Sequence, residues 1–514
     1  MAEISTNDRD SSGRGWSFWA YLLVLLGLVN AFLGLGSTPF LGPDEPRYAQ
    51  VAREMYERGD WITPTLGGYP WFEKPALLYW FEIVSYKLFG VSEFAARLGP
   101  ALCGIGILAC LYVFGQTVVR EEPSVHRRLQ KWLPLVTASS VGLIAFSHGV
   151  SFDLTVTFTM TAAMVAYYRF DRYEDDSFSH KTGMLLAFYF FIGASLLAKG
   201  LIGIVFPFGI VFLYHFASRR MPRKGLITSL VWGLPIAAAV AATWYGPMYA
   251  RHGWRFIDEF IIQHHFERFT SNKYAHPGPI YFYMIALPLF LVPWLPAFVA
   301  AFWRFIKKGW KSEEEGLSVR SPAVIFAAIW MLVPLVFFSL SGSKLPGYII
   351  PSLPPAMIIT ALYLSEKIKL DRRWANATIV VAGLWFVLSI GITLFAIPQY
   401  AQTDTVKYLF ENAAAKGYAN EPVYGLGMVS YSAEFYGAGR LIRNEDGTQK
   451  IFDDPAAIES AMRASGQRKG LVLIFSNSSV IDGQLPQAEP TLGSEWIDKG
   501  GPVSVYGVWL KDQP

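Results

Sequence analysis

Long apolar stretches alternate with short polar ones along most of the chain. Eleven of them approach or exceed the length that crosses roughly 30 Å of hydrocarbon as a helix. The pattern therefore predicts an all-α polytopic membrane domain of about eleven transmembrane helices over residues 16–397, after a polar tail at 1–15. The stretches lie near residues 17–36, 93–118, 132–149, 154–170, 184–198, 201–217, 226–245, 280–303, 322–341, 349–365 and 375–397.

The pattern changes after about residue 398. The segments EPVYGLG, KGLVLIFS and PVSVYGVWL are typical of strands, and DDPAAIESAMRASG is typical of a capped helix. Residues 398–514 are therefore predicted to form a small soluble α/β domain.

Basic residues set the expected orientation. The loops at 120–131, 218–225, 304–311 and 366–374 are rich in Lys and Arg, whereas those at 37–92, 246–279 and 341–348 are aromatic with mixed charges. By the positive-inside rule the N-terminus is cytoplasmic. The other loops and the C-terminal domain are then extracytoplasmic. The first apolar run lacks a small-residue cleavage site, so it is expected to stay as a membrane anchor.

Composition agrees with this picture. Of the 514 residues, 53% are hydrophobic and 16% are charged, whereas soluble domains contain about 25% charged residues. Cys103 and Cys110 stand seven apart in an apolar run. That spacing is about 10 Å along a helix, which is too far for a disulfide.

The ionisable residues of the membrane domain gather at one end of the predicted spans. Ten such residues come from six places in the sequence, and each falls at the outer boundary of a span. Because charges beside lipid are costly, a single polar cavity at the outer leaflet is the simplest interpretation. The ten are Asp44, Glu45, Glu73, Lys74, Asp153, Lys199, His264, His265, Arg268 and Lys344.

The acidic members have structural alternatives. Asp44 or Glu45 would cap the short surface helix predicted after Pro46, although a cap explains one carboxylate and hardly two. Asp153 begins a span, where helix capping is about as common as function. Its position beside the other acids favours function, and it is grouped with Asp44 as a candidate catalytic residue. Glu73 would orient Lys74 or bind a metal. In these roles the carboxylates serve acid–base chemistry, a metal, or a sugar cation.

The cations exceed what a neutral substrate needs. Two of them have structural alternatives to ligand binding. Lys74 could extend its ammonium to lipid headgroups, and Lys344, with Tyr348, could belong to an ordinary interhelical loop. Lys199 needs an anion from elsewhere in the fold or from a ligand, and the fork of Arg268 suits phosphate. A membrane-embedded phosphate or pyrophosphate ester accounts for them, without specifying its headgroup.

Several motifs together resemble one family. In order, they are PDEPRYAQVAREM, WFEKPALLYW, FAARL, SFDLTVTF, LLAKGLIG, FIIQHHFERF and SGSKLPGYIIP. This set, spread over residues 20–365, is similar to bacterial polyprenyl-phosphate-dependent glycosyltransferases of the lipid A aminoarabinose transferase type. Those enzymes are related to the protein O-mannosyltransferases of the GT-C fold class.

The resemblance implies a chemistry. Such enzymes take a sugar from undecaprenyl phosphate at the outer face of the inner membrane and invert the anomeric centre. The partners implied are that donor and a lipid A-type or other envelope acceptor, with no nucleotide and no nucleic acid. A protein O-glycosyltransferase differs only in its acceptor. A transporter of lipid-linked sugars would need charges at both faces of the membrane.

The resemblance also implies roles for single residues. Asp44 matches the acidic residue proposed as catalytic, with Asp153 and Lys199 at other cavity positions. Lys74, Arg268 and Tyr348 match residues that hold the carrier phosphate. Lys199 and Lys344 are cations, and they are expected to bind the same phosphate. Glu73 and His265 match the ligands of a divalent metal, zinc or magnesium.

Overall fold

Helices form most of the structure, a computed structural model that describes residues 8–121, 129–172, 178–267, 278–308, 321–427, 432–475, 485, 491–501 and 503–511. In the first half of the chain the α-helices are α1 Asp8–Asn30, α2 Asp44–Arg58, α3 Leu77–Phe89, α4 Glu93–Glu121, α5 Leu129–Ala138, α6 Val141–Ser147, α7 Phe152–Arg172, α8 Phe178–Lys199, α9 Ile202–Ser218 and α10 Lys224–Phe256.

In the second half they are α11 Phe282–Phe290, α12 Leu295–Lys308, α13 Pro322–Ser339, α14 Leu353–Leu370, α15 Arg373–Gly391, α16 Ile397–Asp404, α17 Lys407–Ala415, α18 Ala433–Tyr436 and α19 Pro455–Ser465. Two π-helical segments cover Ile257–Glu267 and Ile392–Ala396, and a 3₁₀ helix covers Pro346–Ser352. The strands are β1 Thr65–Leu66, β2 Tyr69–Pro70, β3 Val423–Leu426, β4 Ile451–Phe452, β5 Lys469–Phe475, β6 Leu492–Gly500 and β7 Val503–Leu510.

The chain forms two compact units. Unit 1 contains residues 1–33, 72–78 and 99–390, and unit 2 contains residues 34–71, 79–98 and 391–514. The sequence predicts a boundary near residue 398 between membrane and soluble domains, and that boundary stays a prediction. Unit 2 adds two early segments to the C-terminal part of the chain.

The apolar helices make this a multi-pass membrane protein. Six described helical segments are long and apolar enough to cross a bilayer, and there are eight if two bent pairs each count as one span. Helices α5 and α6 bend by 60°, and α11 and α12 bend by 118°. Every stretch predicted to span the membrane contains a helix or a bent pair, while the number of spans stays a prediction.

Two glycines shape the helices of unit 1. Gly200 has φ +81 and follows α8 directly, so the chain turns there and starts α9 two residues later. Gly253 has φ +57 and breaks the helical path within α10. An L-residue rarely adopts such angles, so glycine is the residue that permits both turns.

The C-terminal part of unit 2 is α/β. Its five strands run in the order β4-β3-β5-β7-β6, with β3 parallel to β4 and β5, and β7 antiparallel to β5 and β6. Successive side chains alternate between the faces: Leu471 and Leu473 join one apolar cluster and Val472 and Ile474 join the other. Helix α19 begins at the predicted cap, since the Asp454 carboxylate accepts a hydrogen bond from the Ala457 amide at 2.7 Å.

Helix α2 is the predicted short amphipathic helix of unit 2. Its buried face includes Tyr48, Val51 and Met55, which follow helical spacing. Gly59 ends it in the left-handed conformation, with φ +64, and the Asp60 amide donates to the Met55 carbonyl at 3.0 Å. This is the usual glycine termination of a helix.

Candidate active-site residues

Asp153 and Lys199 form an ion pair in unit 1. Asp153 lies in the first turn of α7 and Lys199 is the last residue of α8, and the Lys199 Nζ donates to Asp153 Oδ1. Only 19% of the Asp153 side chain and 13% of the Lys199 side chain are exposed. The anion that the sequence required for Lys199 is therefore supplied by the fold.

Tyr348 completes this cluster. The Lys199 ammonium lies 4.5 Å from the centre of the Tyr348 ring, an arrangement that stabilises a cation over an aromatic face. The 3₁₀ helix that carries Tyr348 also brings Gly347 against Asp153, where an added Cβ would collide with the carboxylate. The predicted residues Asp153, Lys199 and Tyr348 are thus brought together.

Lys344 is held near the same 3₁₀ helix. Its ammonium donates to the carbonyl of Ser341 at 2.6 Å, and 9% of the residue is exposed. Backbone oxygen stabilises a lysine only in part, because a carbonyl carries no net charge. An anionic ligand would therefore still gain from this group.

Glu73 and Lys74 also pair within unit 1. The Lys74 Nζ lies 3.0 Å from Glu73 Oε1, and the exposed fractions of the two side chains are 15% and 11%. Glu73 therefore contacts the Lys74 ammonium, as expected if its role is to orient Lys74.

A metal at Glu73 stays a prediction. Within the described residues, no group of three or more His, Cys, Asp or Glu side chains could hold a metal ion. His265 lies on the π-helical segment Ile257–Glu267, but its side chain, like that of His264, and the whole of Arg268 lie outside the described residues.

Asp44 stands in the first turn of α2 in unit 2. Its Oδ1 lies 2.5 Å from Nη2 of Arg47, and 46% of its side chain is exposed. The Arg47 guanidinium also lies 5.6 Å from the ring centre of Trp71. The preceding residue, Pro43, occupies the cap position and makes no side-chain cap, so neither acid is the cap residue and both lie in the first turn of the helix.

Glu45 has a different role from Asp44. Both of its carboxylate oxygens bind Arg97, at 3.0 Å from Nε and 2.8 Å from Nη2, and Oε2 also accepts from the Leu41 amide at 2.9 Å. Only 3% of the Arg97 side chain is exposed. A fork of this kind fixes direction as well as distance. Glu45 therefore anchors the start of α2.

Sequence reasoning missed Arg97. Its guanidinium also donates to the carbonyls of Leu35, Thr38 and Pro39 at 2.8, 2.6 and 3.0 Å. It thereby shapes the segment that leads to Asp44. The signal was available, because Arg97 belongs to the quoted FAARL motif and lies at the outer boundary of a predicted span, like the ten residues that were selected.

Glu82 on α3 was also missed. It is fully buried, and neither carboxylate oxygen has a hydrogen-bond partner among the described residues. Burial, followed by the charge of Glu45, raises the pKa of Glu82 well above its usual value. Its proton therefore stays bound in the folded protein at a pH where an exposed glutamate would lose it.

These features define a class of protein, namely a polytopic membrane protein with ion pairs at the ends of apolar helices and a small α/β part. Residues 41–306, just over half of the chain, match the family model of dolichyl-phosphate-mannose-protein mannosyltransferases. The chain belongs to this family.

Two curated relatives carry the same description, undecaprenyl phosphate-alpha-4-amino-4-deoxy-L-arabinose arabinosyl transferase. The one from Aeromonas salmonicida is 32% identical over 361 residues, which cover 68% of this chain and 60% of the relative. The one from Yersinia enterocolitica is 29% identical over 357 residues, which cover 68% and 59%. The matched region thus spans about six-tenths of the length of these relatives.

The fold is similar to that of a solved enzyme. A crystal structure of ArnT from Cupriavidus metallidurans, bound to undecaprenyl phosphate, superposes with a TM-score of 0.78 at 21% identity. The match covers 96% of this chain and 98% of the other. The predicted GT-C architecture is confirmed at this level.

Proposed function

We propose that the chain is an inverting glycosyltransferase that moves a sugar from a polyprenyl phosphate to a lipid A-type or other envelope acceptor. The observation that carries this proposal is a set of two largely buried ion pairs, Asp153–Lys199 at the ends of α7 and α8 and Glu73–Lys74 in the bend before α3. Ionisable groups at such places are costly and are usually kept for a substrate. The curated descriptions of the relatives, which name undecaprenyl phosphate, support the same donor.

In the proposed reaction, an oxygen of the acceptor attacks the anomeric carbon from the face opposite the carrier. The bond from that carbon to the phosphate oxygen breaks, and its electron pair leaves with the phosphate. The configuration is inverted by this single displacement. Catalysis then consists of holding the leaving phosphate and stabilising the positive charge that develops on the sugar.

We assign the leaving phosphate to the cations. Lys74, Lys199, Lys344 and Arg268 would neutralise it, and the Tyr348 hydroxyl would donate to it. Asp153 keeps Lys199 oriented until the phosphate arrives. Asp153 is thus proposed to act through Lys199, while Glu73 does the same for Lys74.

Asp44 is proposed as the catalytic carboxylate. An acceptor phosphate is already ionised and needs no base, so Asp44 would then stabilise the developing positive charge on the sugar. An acceptor hydroxyl needs a base, and Asp44 would take its proton. The second case corresponds to a protein acceptor, which the name of the matched family favours.

The arrangement in the membrane is part of the proposal. About eleven spans place residues 1–15 in the cytoplasm and residues 398–514 outside the inner membrane. Reporter fusions at 120–131 and at the C-terminus test this, with cytoplasmic and extracytoplasmic signals expected respectively. A divalent ion on Glu73 and His265 stays part of the proposal, and unchanged transfer after chelation would remove it.

Mass spectrometry of total lipids tests the reaction in three strains: wild type, a deletion, and Asp44→Asn at matched expression. Both altered strains should lose one sugar from lipid A and retain the matching polyprenyl phosphate sugar. Glu411→Gln, an exposed site on α17, should behave as wild type. Unchanged lipid A with an accumulated donor would point to a protein or glycan acceptor, and a wild-type pattern in Asp44→Asn would refute the role of Asp44.

A further inference from the structure

The short helix α18 contacts the segment that leads to Asp44. The Tyr436 hydroxyl accepts a hydrogen bond from the Phe40 amide at 3.0 Å and donates one to Glu93 Oε1 at 2.9 Å. Burial and the neighbouring Glu93 raise the pKa of Tyr436 far above its usual value, so this hydroxyl keeps its proton and remains a donor. One side chain of the C-terminal part thus joins two early segments.

A second C-terminal side chain reaches the same carboxylate. The Lys407 Nζ lies 2.8 Å from Glu93 Oε1, and the exposed fractions of the two side chains are 28% and 10%. Glu93 begins α4, four residues before Arg97, which also binds the segment before α2. Tyr436 and Lys407 therefore meet at the residue that starts this helix.

Apolar contacts reinforce these bonds. The Phe40 ring is fully buried and meets the Phe435 ring edge to face, with 4.8 Å between the ring centres. The Arg53 guanidinium, on α2, lies 5.8 Å from the centre of the Phe435 ring. Aromatic pairs of this geometry are stabilising beyond the area they bury.

The C-terminal part also holds the chain after α2. The turn between β1 and β2 brings Gly67, with φ +61, so close to Arg443 that a Cβ would collide with the guanidinium. Arg443 in turn binds the buried Glu434 of α18. The C-terminal part thus contacts the chain both before and after α2.

We propose that α18 is a positioning element for the reaction, in which Tyr436 fixes the segment at residues 35–45 and thereby sets the place of the Asp44 carboxylate. The inference rests on the proposed function, since it needs Asp44 to act in transfer. The Asp44 side chain pairs with Arg47 of its own helix, so its position follows the backbone that carries it. The C-terminal part then contributes to catalysis by positioning Asp44.

Tyr436→Phe tests the proposal because it keeps the ring and removes both hydrogen bonds. Misplacing a reacting group by about 1 Å costs about 100-fold in rate, so kcat should fall about 10- to 100-fold while the KM for the polyprenyl phosphate sugar stays unchanged. Hydrogen exchange of the peptide 34–45 should be faster by about tenfold at the Phe40 amide. Tyr424→Phe, a buried tyrosine of the C-terminal sheet, should match wild type in both.

Lys407→Met provides a second variant that leaves Tyr436 in place. It should lower kcat in the same direction, and Lys416→Met, which removes a contact to the Trp496 carbonyl, should not. Wild-type kcat in Tyr436→Phe would overturn the proposal, whether or not exchange at Phe40 is faster. So would an increase in KM at unchanged kcat. A wild-type protein that transfers no sugar would refute the proposed function instead, whatever the exchange at Phe40.

Discussion

Arg97 binds both carboxylate oxygens of Glu45, at 3.0 and 2.8 Å, next to the residue proposed to act on the sugar. The adjacent acids Asp44 and Glu45 therefore have different roles, one in the proposed reaction and one in the structure. Glu45 is committed to a buried pair, and Asp44 remains 46% exposed. The bonds from Arg97 to three backbone carbonyls extend this anchor through residues 35–39.

Removing Arg97 should destabilise the protein strongly. Arg97→Gln leaves Glu45 buried without its partner, and an uncompensated buried charge costs about 3–5 kcal/mol. Thermal unfolding in detergent measures the change. Arg255→Gln is the control, because the Arg255–Glu259 pair is exposed at 63% and 31% and should contribute about 0–1 kcal/mol. Equal losses in the two variants would contradict a special role for Arg97.

Variants of the Asp153–Lys199 pair should affect protein stability and donor binding differently. Lys199→Met leaves Asp153 unpaired, so the free energy of unfolding should fall by about 3–5 kcal/mol. The double variant Asp153→Asn with Lys199→Gln removes both charges and should recover much of that loss. It should still bind the donor poorly, since the cation for its phosphate is gone. Recovery of the donor KM in the double variant would exclude Lys199 from phosphate binding.

Much of the fold follows from local pattern. The apolar stretches become helices because length and hydropathy alone decide whether a segment is stable in a bilayer. Local sequence also predicts strands β3, β5 and β7, from their β-branched and aromatic residues. It predicts the start of helix α19 as well, because Asp454 is a residue type that caps helices. Strand β6, with Gly, Ser, Glu, Asp and Lys among its nine residues, has no such pattern and was not predicted.

The partners within the site are not local. Lys199 lies 46 residues from Asp153, and Arg97 lies 52 residues from Glu45. The sequence indicated that Lys199 needs an anion, but chain-distant partners depend on how the helices pack. Glu82 shows the same limit, because only packing reveals that a glutamate on α3 is fully buried.

Gly347 should tolerate no side chain. A Cβ there would collide with the Asp153 carboxylate and come within 3.0 Å of the Phe146 ring. Gly347→Ala should therefore cost about 1–3 kcal/mol by overpacking, and should lower transfer because Asp153 moves relative to Lys199. Gly209→Ala on α9 is the control, since its Cβ would meet nothing within 4 Å. A fully active Gly347→Ala would mean that Asp153 need not be held in place.

Glu82 should make stability depend on pH. The unfolded chain loses the Glu82 proton near the ordinary value of 4.5, whereas the folded chain keeps it to a higher pH because burial and Glu45 raise the pKa. Between these two values the folded state binds more protons. The free energy of unfolding therefore falls as pH rises through that window.

Glu82→Gln should remove this loss, because an amide of the same shape does not titrate. Thermal unfolding in detergent at several pH values should find the variant close to wild type near pH 4.5 and progressively more stable than wild type as pH rises, by an amount that measures the pKa shift. Glu411→Gln, at an exposed site, should follow wild type throughout. If Glu82→Gln kept the wild-type slope, the pKa of Glu82 would be the same in the folded and unfolded protein, and burial would not control its ionisation.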